Sequence, residues 1–278
     1  MRFESSRGII AYEAFGVGRP ILFLHGWPLD RRSMIGPFEP LFAKREGWHR
    51  VYPDLPGMGE TGALADVRTP DDVLDVLVEF AAHLADGGPI AVAGLSYGGL
   101  LVQGLAHRIG PSLAGLLAVV PSMGERERRI PAEFHVIHRE AIDFIAVDDE
   151  TQQGFETMAV VQTQEHLDAW DELIVPGVAA ADGAFLDELD KQQAFSFDHR
   201  RLPQPLKAPT LFLTGRQDNV CGYREATDVM EQYPRGSFVV LDRAGHCLNF
   251  EQPALFDALV AEWLDRVEEY AAAREADG

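Results

Sequence analysis

The stretch that most constrains this chain runs from Pro89 to Gly99. Pro89-Ile90-Ala91-Val92-Ala93 is short and apolar and stops at Gly94, the pattern of a buried strand. Leu100, Leu101, Leu105 and Ile109 then recur at helical spacing. Between the two lies Gly94-Leu95-Ser96-Tyr97-Gly98, a G-x-S-x-G sequence. In a strand–turn–helix context this is a nucleophile elbow. The glycines provide room: a serine on so sharp a turn takes a strained backbone, and the residues two positions away must lack side chains. The strain lifts the Ser96 hydroxyl off the sheet edge, and the following helix N-terminus favours developing negative charge. A plain glycine-rich turn would show the same five residues; the flanking patterns favour the nucleophile.

A serine alone is a poor nucleophile and needs an oriented base. Asp218 follows a second buried run, in Gly215-Arg216-Gln217-Asp218, and His246 follows a third, in Ala244-Gly245-His246-Cys247. In the elbow context the chain order is serine, acid, histidine, and Ser96, Asp218, His246 fits it. Ser96 would attack a carbonyl carbon, His246 would take and return the proton, and Asp218 would hold the imidazole.

Strand and helix patterns alternate through the rest of the chain. Strands are expected at Gly8–Phe15 (paired near Phe3), Ile21–Leu24, Val51–Tyr52, Leu116–Val120, Thr210–Thr214 and Ser237–Leu241. Helices are expected at about Asp30–Ala43, at Pro70–Ala85 with Thr69 as N-cap, at Tyr223–Gln232 and at Pro253–Ala272. Such alternation implies an α/β fold with a mostly parallel sheet covered on both faces. From about Gly124 to Pro205 the pattern changes to helical periodicity without a convincing buried strand, with candidate helices at 131–145, 150–161, 164–174 and 185–194. The expected division is therefore a core of residues 1–123 and 206–278 and a helical cap inserted at 124–205; the tail from Arg274 is expected to fray.

Composition excludes several functions. A formal net charge of −20 repels nucleic acid and anionic membranes, so neither is an expected partner. Two cysteines, Cys221 and Cys247, make no disulfide framework and no metal spacing, so no metal or cofactor is expected. The N-terminus shows no apolar leader and no run spans a bilayer, which makes the cytoplasm the expected compartment. Oligomeric state is left open between monomer and homodimer.

Taken with His25-Gly26-Trp27-Pro28, Asp54-Leu55-Pro56-Gly57-Met58-Gly59 and Gly245-His246, the elbow and the Gly215–Asp218 motif resemble the α/β-hydrolase superfamily, in particular its cap-bearing branch. The resemblance spans the chain except the cap. It implies an α/β-hydrolase fold and an oxyanion loop at 25–28, with the backbone N–H groups of Trp27 and Tyr97 as donors. Branch members with an aspartate nucleophile, the epoxide hydrolases and dehalogenases, are disfavoured by Ser96. The implied activity is hydrolysis of a small carboxylic ester or lactone through an acyl-enzyme on Ser96, with a small acyl molecule as partner. Carbon–carbon bond hydrolysis, acyl transfer and a ligand receptor that kept the fold stay open.

Several residues carry weaker expectations. His25 reads mainly as a residue that ties loops together, with substrate contact as the lesser alternative. Trp27, Tyr97 and Met123 adjoin the site and are pocket candidates; from the cap, Phe144 and Trp170 join them. Asp54 is expected to pack and turn its loop, Asp242 to cap a loop, Glu251 to meet surface arginines, and Glu125–Arg129 and Asp148–Glu150 to be solvated. Cys221 and Cys247 are expected as buried free thiols.

Overall fold

The computed structural model describes residues 1–124, 129–131 and 133–277. In chain order these form β1 (Arg2–Ser5), β2 (Gly8–Phe15), β3 (Arg19–Leu24), α1 (Arg32–Phe42), β4 (Trp48–Pro53), α2 (Pro70–Ala85), β5 (Ile90–Leu95), α3 (Tyr97–Ile109) and β6 (Leu113–Val119). A long excursion follows, with β7 (His138–Arg139), α4 (Asp149–Met158), β8 (Val161–Gln162), α5 (Gln164–Leu173), α6 (Val175–Ala180) and α7 (Gly183–Leu189). The chain then returns to β9 (Thr210–Gly215), α8 (Arg224–Thr227), β10 (Gly236–Leu241), α9 (Leu248–Glu251) and α10 (Pro253–Asp277).

Eight strands form one sheet in the order β1-β2-β4-β3-β5-β6-β9-β10, parallel from β4 onward and antiparallel at β1, β2 and β4. The central strands are apolar along their whole length because both faces are covered. Alternate residues serve opposite layers: Leu22, Val92 and Leu116 pack under α2 and α3 with Leu77, Phe80 and Leu101. Phe23, Ala93 and Leu117 pack under α1 and α10 with Phe38, Phe256 and Trp263. Thr69 starts α2 with a capping box: it accepts from the Asp72 N–H, and the Asp72 carboxylate accepts from the Thr69 N–H.

Among the described residues of 131–145 the expected helix does not form. Of the described residues there, Phe134, Val136, Ile142 and Phe144 are half-buried while the residues beside them are exposed, an alternation that suits extended chain. Its one regular piece is β7, which pairs parallel with β8. The helix expected at Phe185–Ala194 is the shorter α7, and α6 was not expected. The helix expected at 223–232 breaks after α8, which turns Gln232 so that its backbone C=O and side chain accept the N–H groups of Leu206 and Leu202. Instead of fraying, α10 runs to Asp277; Arg274 lies over the Tyr270 ring and reaches the Pro111 carbonyl. The expected charged run 125–129 lies outside the described residues except for Arg129, which pairs with Glu225 at 3.0 Å and with Asp228. No helix among the described residues is long and apolar enough to cross a membrane.

Candidate active site

Ser96 occupies the corner between β5 and α3 with φ 54° and ψ −111°, a conformation that L-residues avoid. The corner closes because its neighbours are glycine. A Cβ on Gly94 would stand 2.1 Å from the Gly98 carbonyl oxygen, and one on Gly98 would stand 2.1 Å from that of Leu24. The surrounding structure holds the strained residue in place: the Ser96 N–H donates to the Val119 carbonyl at 2.9 Å, and the Ser96 carbonyl accepts from Leu100 and Ser122.

Asp218 and His246 arrive from the loops after β9 and β10. These strands pair in parallel with Gly215 opposite Leu241, which sets their following loops side by side. The Gln217 N–H donates to the Ala244 carbonyl at 2.9 Å and joins the two loops. Asp218 is fully buried. Its Oδ1 accepts the N–H groups of Val220 and Cys221 at 2.8 and 2.9 Å, and its Oδ2 faces His246 Nδ1 at 3.0 Å. A carboxylate only accepts, so Nδ1 carries the hydrogen and Nε2 is left as an acceptor. Nε2 lies 3.0 Å from Ser96 Oγ. The chain of contacts therefore has one direction for proton flow, from the serine hydroxyl to the imidazole.

Glu251 was expected to meet surface arginines, and the structure corrects this. It is 3% exposed, with Oε2 accepting the Gly245 N–H at 2.5 Å and Oε1 accepting the Val160 N–H at 2.7 Å. One carboxylate thus ties the loop that carries His246 to the chain just before β8. Burial pushes its pKa up to about 7, against the opposing pull of those N–H donors. The signal in the sequence was an acid five residues after His246 among the apolar residues Leu248 and Phe250, flanking that a surface glutamate seldom has.

A cavity of about 280 Å³ opens at Ser96 and His246. From the core, Trp27, Tyr97 and Phe250 line it; from the excursion, Met158, Trp170 and Ile174 do. The Trp27 and Tyr97 rings meet edge to face at 5.5 Å. Three pocket candidates lie elsewhere. His25 is fully buried behind the loop, its Nδ1 bonded to the Gly26 carbonyl and its Nε2 accepting the Leu55 N–H; burial lowers its pKa and keeps the ring neutral. Met123 packs in the main core. Phe144 packs on Phe155, one layer behind Trp170, because the segment it lies on is extended rather than helical. Asp54 holds the Arg31 guanidinium and accepts the N–H groups of Arg31 and Glu60, as befits a loop-forming residue. Asp242 offers its carbonyl to the Gln217 amide.

Cys221 and Cys247 are both buried and outside any disulfide, as expected. Both line the cavity wall, a placement the sequence did not signal, and Cys221 Sγ lies 3.9 Å from Ser96 Oγ. Burial holds the Cys247 thiol well above its ordinary pKa and so keeps it protonated. Ser122 and Asn249 on the same wall were also missed.

The model of the Alpha/beta hydrolase family matches residues 21–259. Among curated proteins, the (E)-2-((N-methylformamido)methylene)succinate hydrolase of Acinetobacter baylyi is 27% identical, over 90% of this chain and 92% of that protein. Among solved structures, an alpha/beta superfamily hydrolase from Oenococcus oeni superposes with a TM-score of 0.88 at 28% identity, over 96% of this chain and 99% of that one. A thermophilic esterase from Thermogutta terrifontis gives 0.63 at 26% identity, over 96% and 98%. The chain belongs to the alpha/beta hydrolase family, and it is a hydrolase by kinship as well as by fold.

Proposed function

We propose that this protein hydrolyses a small carboxylic ester through an acyl-enzyme on Ser96. The observation that carries the reading is the unbroken line Ser96 Oγ, His246 Nε2, His246 Nδ1, Asp218 Oδ2, with both steps at 3.0 Å, at the floor of an apolar cavity. His246 takes the hydroxyl proton as Ser96 attacks the carbonyl carbon, and returns it to the departing alcohol. Water, deprotonated by the same imidazole, then releases the acid. Asp218 fixes the tautomer and offsets the imidazolium charge.

The oxyanion is received by the backbone N–H groups of Trp27 and Tyr97. Tyr97 is the first residue of α3, so its N–H has no partner inside the helix and is available to an incoming oxygen. Residues 124–205 act as the cap. They supply Met158, Trp170 and Ile174 to the wall and exclude water from the reacting carbonyl.

The test is labelling with a fluorophosphonate, which reacts with an activated serine. Wild type is expected to gain one adduct, located by peptide mapping on Ser96, and Ser96→Ala to gain none. Equal labelling of both proteins would sink the reading.

A further inference from the structure

We propose that Asn249 is a substrate-binding residue whose carboxamide receives a neutral amide-like group on the acyl substrate. The proposal rests on the reading of Ser96 as the nucleophile, and it goes further by naming the substrate's chemistry. Asn249 lines the same cavity as Ser96 and His246 and is 4% exposed. Neither its Oδ1 nor its Nδ2 has a hydrogen-bond partner among the described residues. A buried amide left without partners costs free energy, so the position is one that a ligand can repay.

Several other hydrogen-bonding side chains of the wall already have partners within the protein. Ser33 donates to the Asp30 carbonyl, Ser122 accepts from the Gly124 N–H, Gln192 donates to the Ala194 carbonyl and Gln193 donates to Asp190. Ser96 and His246 hold each other. The Tyr97 hydroxyl on the same wall also lacks a partner among the described residues; Asn249 differs in leaving two N–H donors and a separate carbonyl acceptor unspent.

A carboxamide offers two N–H donors and one carbonyl acceptor. Its complement is a neutral group with both an acceptor and a donor, such as a secondary amide or a carbamate. A carboxylate would engage the donors and leave Oδ1 unmatched. Among the described residues no lysine or arginine lines the cavity to offset a buried negative charge. The amide is also held in place. It sits on α9 between Leu248, fully buried, and Phe250, whose ring stacks on His166 at 5.5 Å; Glu251, the next residue, is tied at both oxygens. A preorganised partner loses little freedom when it binds.

The experiment uses three aryl esters of equal chain length and one leaving group, with the acyl chain carrying an internal secondary amide, only methylenes, or a terminal carboxylate. For wild type, kcat/KM is expected to favour the amide over the methylene chain by about 10- to 100-fold, the scale of a buried amide made whole. In Asn249→Leu that ratio is expected to fall to near one, with a melting temperature equal to or above wild type. Asn249→Asp, which keeps the volume and loses the donors, serves if the leucine variant does not fold and is expected to lose most of the preference. Calorimetric binding of the corresponding stable N-aryl amides reads the same preference without turnover. An unchanged ratio in the variants, or a wild-type preference for the carboxylate or the methylene chain, overturns the proposal. Absence of turnover on all three esters, with the amide still preferred in binding, would instead count against the nucleophile assignment alone.

Discussion

The two walls of the cavity are built on different principles. The floor hangs from the sheet: β5 and β6 are buried at every residue, and the groups that face substrate sit in loops that the strand register sets side by side. The roof, drawn from the described residues between β6 and β9, has a small cluster around Phe155, Leu167 and Trp170, which Cys247 and Phe250 join from the other side. Its α4, α5 and α7 are at most ten residues long and lean on side-chain caps from Asp148, Thr163 and Asp182. A rigid floor suits a reaction that needs sub-ångström placement, and a modular roof suits selection among substrates. Mutations on the two sides should therefore act differently.

Damage to the floor should be general and large. Ser96→Ala is expected to lower kcat by about 10⁶ on every substrate, with an unchanged circular dichroism spectrum. Retention of a tenth of wild-type activity on any ester would remove Ser96 from its role. Asp218→Asn should cost about 10⁴ in kcat because the Nδ1 hydrogen would face a donor as readily as an acceptor. A nearly silent Asp218→Asn would break the proton path described above.

Damage to the roof should be selective. Trp170→Ala is expected to move the kcat/KM ratio between a long and a short acyl ester by about 10- to 200-fold, while acylation by the short, activated ester persists. Phe144→Ala, one layer back, should move that ratio less. Equal losses on both esters in Trp170→Ala would mean that the roof does not select.

Glu251 joins roof to floor and gives the smallest effect, read as stability. Its folded pKa of about 7 lies above the ordinary glutamate value of 4.5, so the folded state holds a proton that the unfolded state has released. Its contribution to stability is therefore present at low pH, falls as pH rises from about 4.5 to about 7, and is level above that. Relative to wild type, Glu251→Gln should gain about 2 to 3 kcal/mol in unfolding free energy between pH 5 and pH 8, measured by urea melts. A difference that does not change with pH would mean that Glu251 is already charged in the folded state.

Legibility in the sequence follows the same division. The buried strands and the elbow are set by local, repetitive patterns: a continuous apolar run, a glycine on each side of Ser96, an acid or a histidine just past a strand. The roof is set by contacts between segments. Phe134, Ile137 and Phe144 suit a helix by spacing alone, yet the chain there is extended and pairs His138 and Arg139 with β8, a partner more than twenty residues away. Asn249 and Glu251 were missed for a related reason. Phe250 between them stacks on His166, and Glu251 accepts the N–H of Val160, contacts with residues far away in sequence.

The proposed chemistry turns on acylation of Ser96. The most direct measurement mixes micromolar enzyme with excess p-nitrophenyl acetate, follows nitrophenolate on the millisecond scale, and takes the intact mass of acid-quenched samples. A burst or a single-exponential acylation phase is expected, with an adduct of about 42 daltons, one acetyl group in place of the hydroxyl hydrogen, that maps to Ser96 and is absent from Ser96→Ala. Steady turnover by wild type with no adduct at any quench time, and adduct-free turnover surviving in Ser96→Ala, would contradict it.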